Sequence, residues 1–334
     1  MTTVVAVVLM TGIVCYGVFG GADFGTGLWD LTAGGAARGA RPRALIDHAI
    51  GPVWEANHTW LIFCLVILWT GFPDAFSAIM TTLYIPLGIA AFGIVLRGSG
   101  FAFRKVSMRT AEQRLNGIAF ATSSVLTPFC FGAVAGGVAS GRVPTEGHGD
   151  ALTSWLNPTS ILGGVLAVVT CGYLAAVFLT AEAHRSDQPD LERWSRRRAF
   201  AAAVAAGLAA VAGLFVLYHD AHRLYSHLLR NGWPLIALSA LAGIAALLST
   251  ALRIRPVLVR PLGVLAVGAV LAGWGAAQYP YLLGTHLTIH AGAAPSATMD
   301  ALGIVTLLAV VLVVPSLAWL FVLTHRGTLA EDSG

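Results

Sequence analysis

Gly51 to Trp60 reads GPVWEANHTW, and Leu61 to Trp69 continues as LIFCLVILW. Ten residues bring together a proline, a carboxylate (Glu55), an amide (Asn57), an imidazole (His58) and two indoles (Trp54, Trp60). The run behind them carries no charge and suits hydrocarbon better than water. The stretch therefore predicts a transmembrane helix with its ionisable groups at the bilayer edge. Pro52 suits the start of such a helix, where its missing N–H leaves no acceptor unmet. Glu55 in the first turn is favoured by the helix dipole. A structural role and a functional one both stand at this point, because ionisable groups at membrane depth commonly mark ion and proton routes.

The rest of the chain repeats the apolar pattern. It is 57% hydrophobic and only 11% charged over 334 residues, with mean hydropathy +0.76, where ordinary globular chains carry about 25% charged residues. That balance excludes a soluble domain. The formal charge is +4, yet no basic run is interleaved with aromatics, which argues against a nucleic-acid partner. Cys15, Cys64, Cys130 and Cys171 stand singly in apolar segments. They read as small buried residues, with no metal or disulfide expected. The first apolar segment starts beside Met1, with no basic residue before it and no small-residue cleavage site after it. It reads as a retained helix rather than a signal peptide.

Hydropathy predicts an all-α, polytopic integral membrane protein of about nine spans. They fall near 3–26, 50–71, 76–97, 116–140, 158–181, 199–218, 233–252, 260–281 and 299–324. The connections are short, so successive helices should be antiparallel neighbours within one membrane domain. The run AAAVAAGLAAVAG (201–213) predicts close helix packing. The segment HDAHRLYSHLLRNG (219–232) reads as a solvated outer loop, and THLTIHAGAAP (285–295), with His286 and His290, as another.

Basic residues set the orientation. Seventeen of the twenty fall after the first, third, fifth and seventh spans or at the C-terminus, and only Arg142, Arg223 and Arg230 lie on the other side. The positive-inside rule then predicts the N-terminus outside and the C-terminus in the cytoplasm. This orientation places Asp23, Glu55 and Arg97, from three separate spans, at one depth near the cytoplasmic edge. Glu55 and His58 are three residues apart and share a helix face. An acid beside an arginine can stay charged when buried, and such a cluster can take protons from the cytoplasm and relay them inward. The simpler alternative is that Arg97 snorkels and Asp23 caps a loop. Snorkelling alone does not require acids on two neighbouring helices at the same level.

Three motifs in order over the first third carry a family resemblance. Trp54-Glu55-x-Asn57-x-x-Trp60, GADFGTG (21–27) and LRGSGFAFR (96–104) resemble signatures of subunit II of the cytochrome bd-type quinol oxidases. WLNPTSILGG (155–164) and QYPYLLGTHLTIHAGAAP (278–295) agree more softly. The resemblance implies a non-haem subunit packed against a homologous, haem-bearing subunit I, which holds haems b and d and oxidises quinol. The complex would reduce dioxygen to water with cytoplasmic protons, in the bacterial plasma membrane. Glu55 would mark a proton entrance supported by Asp23, Arg97 and the neighbouring His58, while Trp60, with Trp54 and Asn57, would lie near a dioxygen access or packing site. It also implies two four-helix groups, at 1–140 and 155–281, with an extra helix at 299–324. A small single-helix accessory subunit and a structural quinone are admitted by the resemblance.

Two departures from the family pattern matter. Glu55 stands where Asp is common, which keeps the acid. A second acid just before Asp23 is replaced by Phe19-Gly20-Gly21-Ala22, which puts a two-acid path in the first helix in doubt. The histidines agree with a chain that holds no haem, since only His58 lies well inside a span and Met80 and Met299 pair with no histidine by spacing. The rival reading is an independent secondary transporter or permease, against which the absence of polar residues at the midplane argues.

Overall fold

The computed structural model describes residues 1–334 except 51–53, 107–109, 147, 254–255, 286 and 326–334. Side chains at 36–37, 50, 54–56, 101, 104–106, 110–114, 256–257, 313–314, 317–318 and 320–325 also lie outside the described set. The chain is mostly helical. The first rod joins α1 (Thr2–Cys15), a π-helical turn (Tyr16–Gly20) and α2 (Gly21–Leu31). Then come α3 (Ala36–Ile50), α4 (Trp54–Gly71), α5 (Pro73–Thr82), α6 (Tyr84–Val106), α7 (Thr110–Ala139), α8 (Pro158–Arg185) and α9 (Pro189–Asp220). The last third holds α10 (His222–His227), a second π-helical turn (Leu228–Gly232), α11 (Trp233–Leu252) and α12 (Pro256–Gln278). A two-stranded antiparallel hairpin, β1 (Tyr281–Leu283) with β2 (Leu287–Thr288), precedes α13 (Ser296–His325).

Among the described residues six helices are long and apolar enough to cross a membrane, and seven if the bent pair Asn57–Gly71 and Pro73–Thr82 is one span. Tyr84–Gly100 and Ser296–Leu312 are apolar but shorter. The 117° bend between α4 and α5 has a local cause. Pro73 sits at the start of α5 with Asp74 in its first turn, so the chain restarts a helix there. Leu83, fully buried, separates α5 from α6. Hydropathy predicts one span at 76–97; the chain instead breaks at Leu83 and α6 runs on to Val106.

Helix α8 is the hub, packed on α2, α7, α9 and α12. Its start is fixed by Asn157, whose side chain accepts from the Ser160 N–H, followed by Pro158 at the first helical position. Its middle, Cys171 to Val177, is buried throughout. Helices α7 and α8 cross backbone to backbone. A Cβ at Gly132 would run into the Gly163 carbonyl, and one at Gly163 into the Gly132 carbonyl. Only glycine allows that approach in both directions.

The small-residue run at 201–213 predicts close packing, but most of it is exposed, with Ala202 and Gly213 buried. Its outward face mixes alanines with the exposed Val204, Leu208 and Val211. The segment 219–232, expected as an outer loop, is mostly helical: His219 and Asp220 end α9, and 222–232 is α10 with its π-helical turn. Asp220 explains how this end is held. Its carboxylate takes both Arg142 Nη atoms, at 2.7 and 3.0 Å, and accepts from the Thr159 hydroxyl at 2.6 Å, tying the end of α9 to the start of α8.

Candidate functional site

The first rod carries the site. Its π-helical turn ends at Gly20, and Asp23 falls in the first turn of α2. Small residues around it let three helices close in: a Cβ at Gly25 would strike the Cys171 carbonyl of α8, and one at Gly27 would strike Ser124 of α7. Asp23 is consequently 4% exposed and Arg97 of α6 2% exposed.

These two form a buried ion pair. Arg97 Nη2 donates to Asp23 Oδ1 at 2.6 Å and to the Asp23 carbonyl at 2.9 Å. Its Nη1 donates to Ser124 Oγ, which in turn donates to the Phe120 carbonyl at 2.5 Å. The guanidinium carbon lies 5.0 Å from the Phe24 ring centroid and 4.5 Å from that of Phe120. Two aromatic faces thus shield a charge-assisted fork from lipid, the setting in which a paired buried charge is retained. The other side of the site is reached through Phe24, whose ring meets His58 of α4 edge-on at 6.0 Å.

Among the site residues expected from sequence, the structure joins Asp23 to Arg97 directly and sets His58 beside Phe24. Asn57 is buried one residue earlier on α4. Trp60 is half-buried and meets Phe63 edge-on at 6.2 Å. Trp54 and Glu55 belong to the start of α4, but their side chains lie outside the described residues. Snorkelling does not describe Arg97: it is a bundle-interior residue, nine positions before the end of its helix. Assigning Arg97 to the interior rather than to a basic loop leaves the charge partition nearly as lopsided.

Sequence reasoning missed two parts of this end of the bundle. Ser124 is the third member of the Arg97 fork and has no signal beyond the Ser123-Ser124 pair. Arg43, a loop charge by sequence, donates to Asp30 Oδ1 at 2.6 Å and to the Gly34 carbonyl at 2.7 Å, so α3 is strapped to the end of α2. Near the same end His48 faces Glu182 at 3.6 Å and His184 faces Glu192 at 3.1 Å. Among the described residues no three His, Cys, Asp or Glu side chains gather as a metal site would need.

A bundle of long apolar helices with a buried ion pair and an imidazole in its interior defines a multi-pass membrane protein with an internal polar site. The sequence profile of cytochrome bd terminal oxidase subunit II matches residues 1–324. The chain belongs to that family. Among similar proteins, the cytochrome bd ubiquinol oxidase subunit 2 of Bacillus subtilis (strain 168) is 27% identical over 164 residues, 48% of this chain and 47% of that one. The chain thus aligns with about half the length of that relative. A putative cytochrome bd menaquinol oxidase subunit II of the same organism is 24% identical over 328 residues, 93% of this chain and 92% of that one. The structure of bd oxidase from Geobacillus thermodenitrificans has the same fold, with TM-score 0.78 and 23% identity over 97% of this chain and 98% of that chain. The permease alternative gains no support from these relatives.

Proposed function

We propose that this chain is the non-haem subunit of a cytochrome bd-type terminal oxidase in the bacterial cytoplasmic membrane. The observation that carries the proposal is the family match across residues 1–324. With a haem-bearing subunit I, the complex oxidises quinol and reduces dioxygen to water. Haems b and d, held by that partner, supply the electron transfer and the dioxygen chemistry. This chain supplies structural support and a route for cytoplasmic protons. A small accessory subunit and a structural quinone are compatible with the exposed apolar helix faces.

In this reading Glu55, near the start of α4, receives the proton, and His58, one turn further, faces the site that holds Asp23 and Arg97. Arg97 fixes the Asp23 carboxylate in place, and a fixed acceptor can stabilise a proton passing beside it. Trp54, Asn57 and Trp60 line the same end of α4 and serve packing or dioxygen access. Counting Tyr84–Gly100 and Ser296–Leu312 with the seven other spans makes nine, with the N-terminus outside and the C-terminus inside. The two-bundle layout, 1–140 and 155–281 with 299–324 added, belongs to the same proposal.

The test is gentle purification of the tagged chain from its host membrane, followed by a reduced-minus-oxidised spectrum. Haem absorption from a co-purified partner, together with quinol-dependent dioxygen uptake, is the expected result. A chain that purifies alone, without haem, and transports a solute in vesicles would overturn it.

A further inference from the structure

The ion pair leaves polar atoms unused in the bundle interior. Asp23 serves Arg97 with Oδ1 and its backbone carbonyl. Its Oδ2 is buried and meets no hydrogen-bond partner among the described residues, and the Tyr16 hydroxyl is in the same condition. Both residues belong to the first rod, seven positions apart. Tyr16 opens the π-helical turn, and its ring lies over Gly20, where an added Cβ would come within 2.9 Å of a ring carbon. The missing side chain at Gly20 thus lets the phenol lie along the rod in the direction of Asp23. Phe131 of α7 holds the ring edge-on at 5.9 Å, and the hydroxyl stands within electrostatic reach of Asp23 and Arg97.

A third group continues the series. Thr127 is 0% exposed, and its hydroxyl also has no partner among the described residues. It sits one turn after Ser124 on α7 and touches Gly93, one turn before Arg97 on α6. Its hydroxyl therefore occupies the next layer beyond the ion pair. Tyr16 is at the midpoint of the rod Thr2–Leu31, about 10 Å of helix rise from Asp23. The three groups lead from the Asp23 end of the site toward the middle of the membrane. Folded chains seldom leave buried donors and acceptors unmet, and polar sites of this kind are commonly completed by internal water making about three hydrogen bonds.

We propose that Tyr16 and Asp23 hold an internal water between the phenol and the second carboxylate oxygen, and that this site, continued by Thr127, is the next station beyond Asp23. The role in proton movement rests on the proton-route reading above. The phenol donates to the water, and the water donates to Oδ2. A proton arriving on that water leaves as a different proton on the far side. The water is regenerated, Asp23 remains a carboxylate, and no electron is transferred. Tyr16 is a positioning residue: it fixes the water and touches no substrate.

The test uses the assembled oxidase. A density map that resolves waters should show one within hydrogen-bonding distance of both Tyr16 Oη and Asp23 Oδ2. Tyr16→Phe keeps the ring against Phe131 and Gly20, so haem content should hold while turnover per haem falls about tenfold and its solvent deuterium isotope effect rises. If Tyr16→Phe fails to assemble, Thr127 carries the test: Thr127→Ser should retain turnover and Thr127→Val should lose it. A map with both atoms ordered and no water between them overturns the proposal. So does wild-type turnover and isotope effect in Tyr16→Phe. If Asp23→Asn slows turnover and Tyr16→Phe does not, this inference falls and the proton-route reading stands. If neither slows turnover, both fall.

Discussion

Arg97 of α6 reaches Asp23 of α2 in a buried ion pair, with Nη2 2.6 Å from Oδ1. Both partners are buried within the chain, so each is the other's charge compensation. Removing one leaves the other desolvated without compensation, which typically costs about 3–5 kcal/mol. Arg97→Gln alone, or Asp23→Asn alone, should therefore lower the thermal stability of the detergent-solubilised complex sharply. Arg97→Gln combined with Asp23→Asn should recover much of the loss, because no charge is then stranded. A melting series over the two single variants and the double variant checks this. Equal losses in the single and double variants would contradict it.

The packing around the site makes a second expectation. Gly25 faces the Cys171 carbonyl with no room for a methyl group, whereas Gly207, mid-way along α9, has nothing within 4 Å of where a Cβ would stand. Gly25→Ala must force α2 from α8 and should cut the yield of assembled complex, at a cost of about 1–3 kcal/mol for overpacking. Gly207→Ala should be neutral or slightly stabilising by helix propensity. Fluorescence-detected size exclusion of the two variants compares them directly.

The membrane class and most of the helical rods are legible in the sequence because both follow from composition and length. The shared level of Asp23 and Arg97 is legible too, since topology alone sets it. What joins them is not. Ser124 reaches Arg97 only through the crossing of α6 and α7, and Arg43 reaches Asp30 only once α3 folds back on α2. The helix at 222–232 looks like a loop in the sequence because His222, Arg223, His227, Arg230 and Asn231 break the apolar pattern, although backbone hydrogen bonding continues through them. The run at 201–213 suggests a packing face because its residues are small. Composition cannot distinguish a face that meets its own bundle from one that looks outward. The break at Leu83 carries no signal, since a buried leucine fits a helix as well as a hinge.

Orientation gives a third expectation. With most basic residues on one side of the predicted spans, a cytoplasm-active reporter fused at Gly334 should be active and an export-dependent one silent. Activity of the export-dependent reporter alone would reverse the orientation and move the Asp23 site to the outer face.

The central claim is that this chain admits cytoplasmic protons to the dioxygen-reducing partner, and Glu55 tests it most directly. Glu55→Gln keeps the side-chain size and removes the titrating group, and Glu55→Asp keeps the acid. Turnover per haem should fall by about an order of magnitude or more in Glu55→Gln. It should stay near wild type in Glu55→Asp, with haem content close to wild type in both. Full per-haem turnover in Glu55→Gln would contradict the claim and leave Glu55 as a helix-start residue.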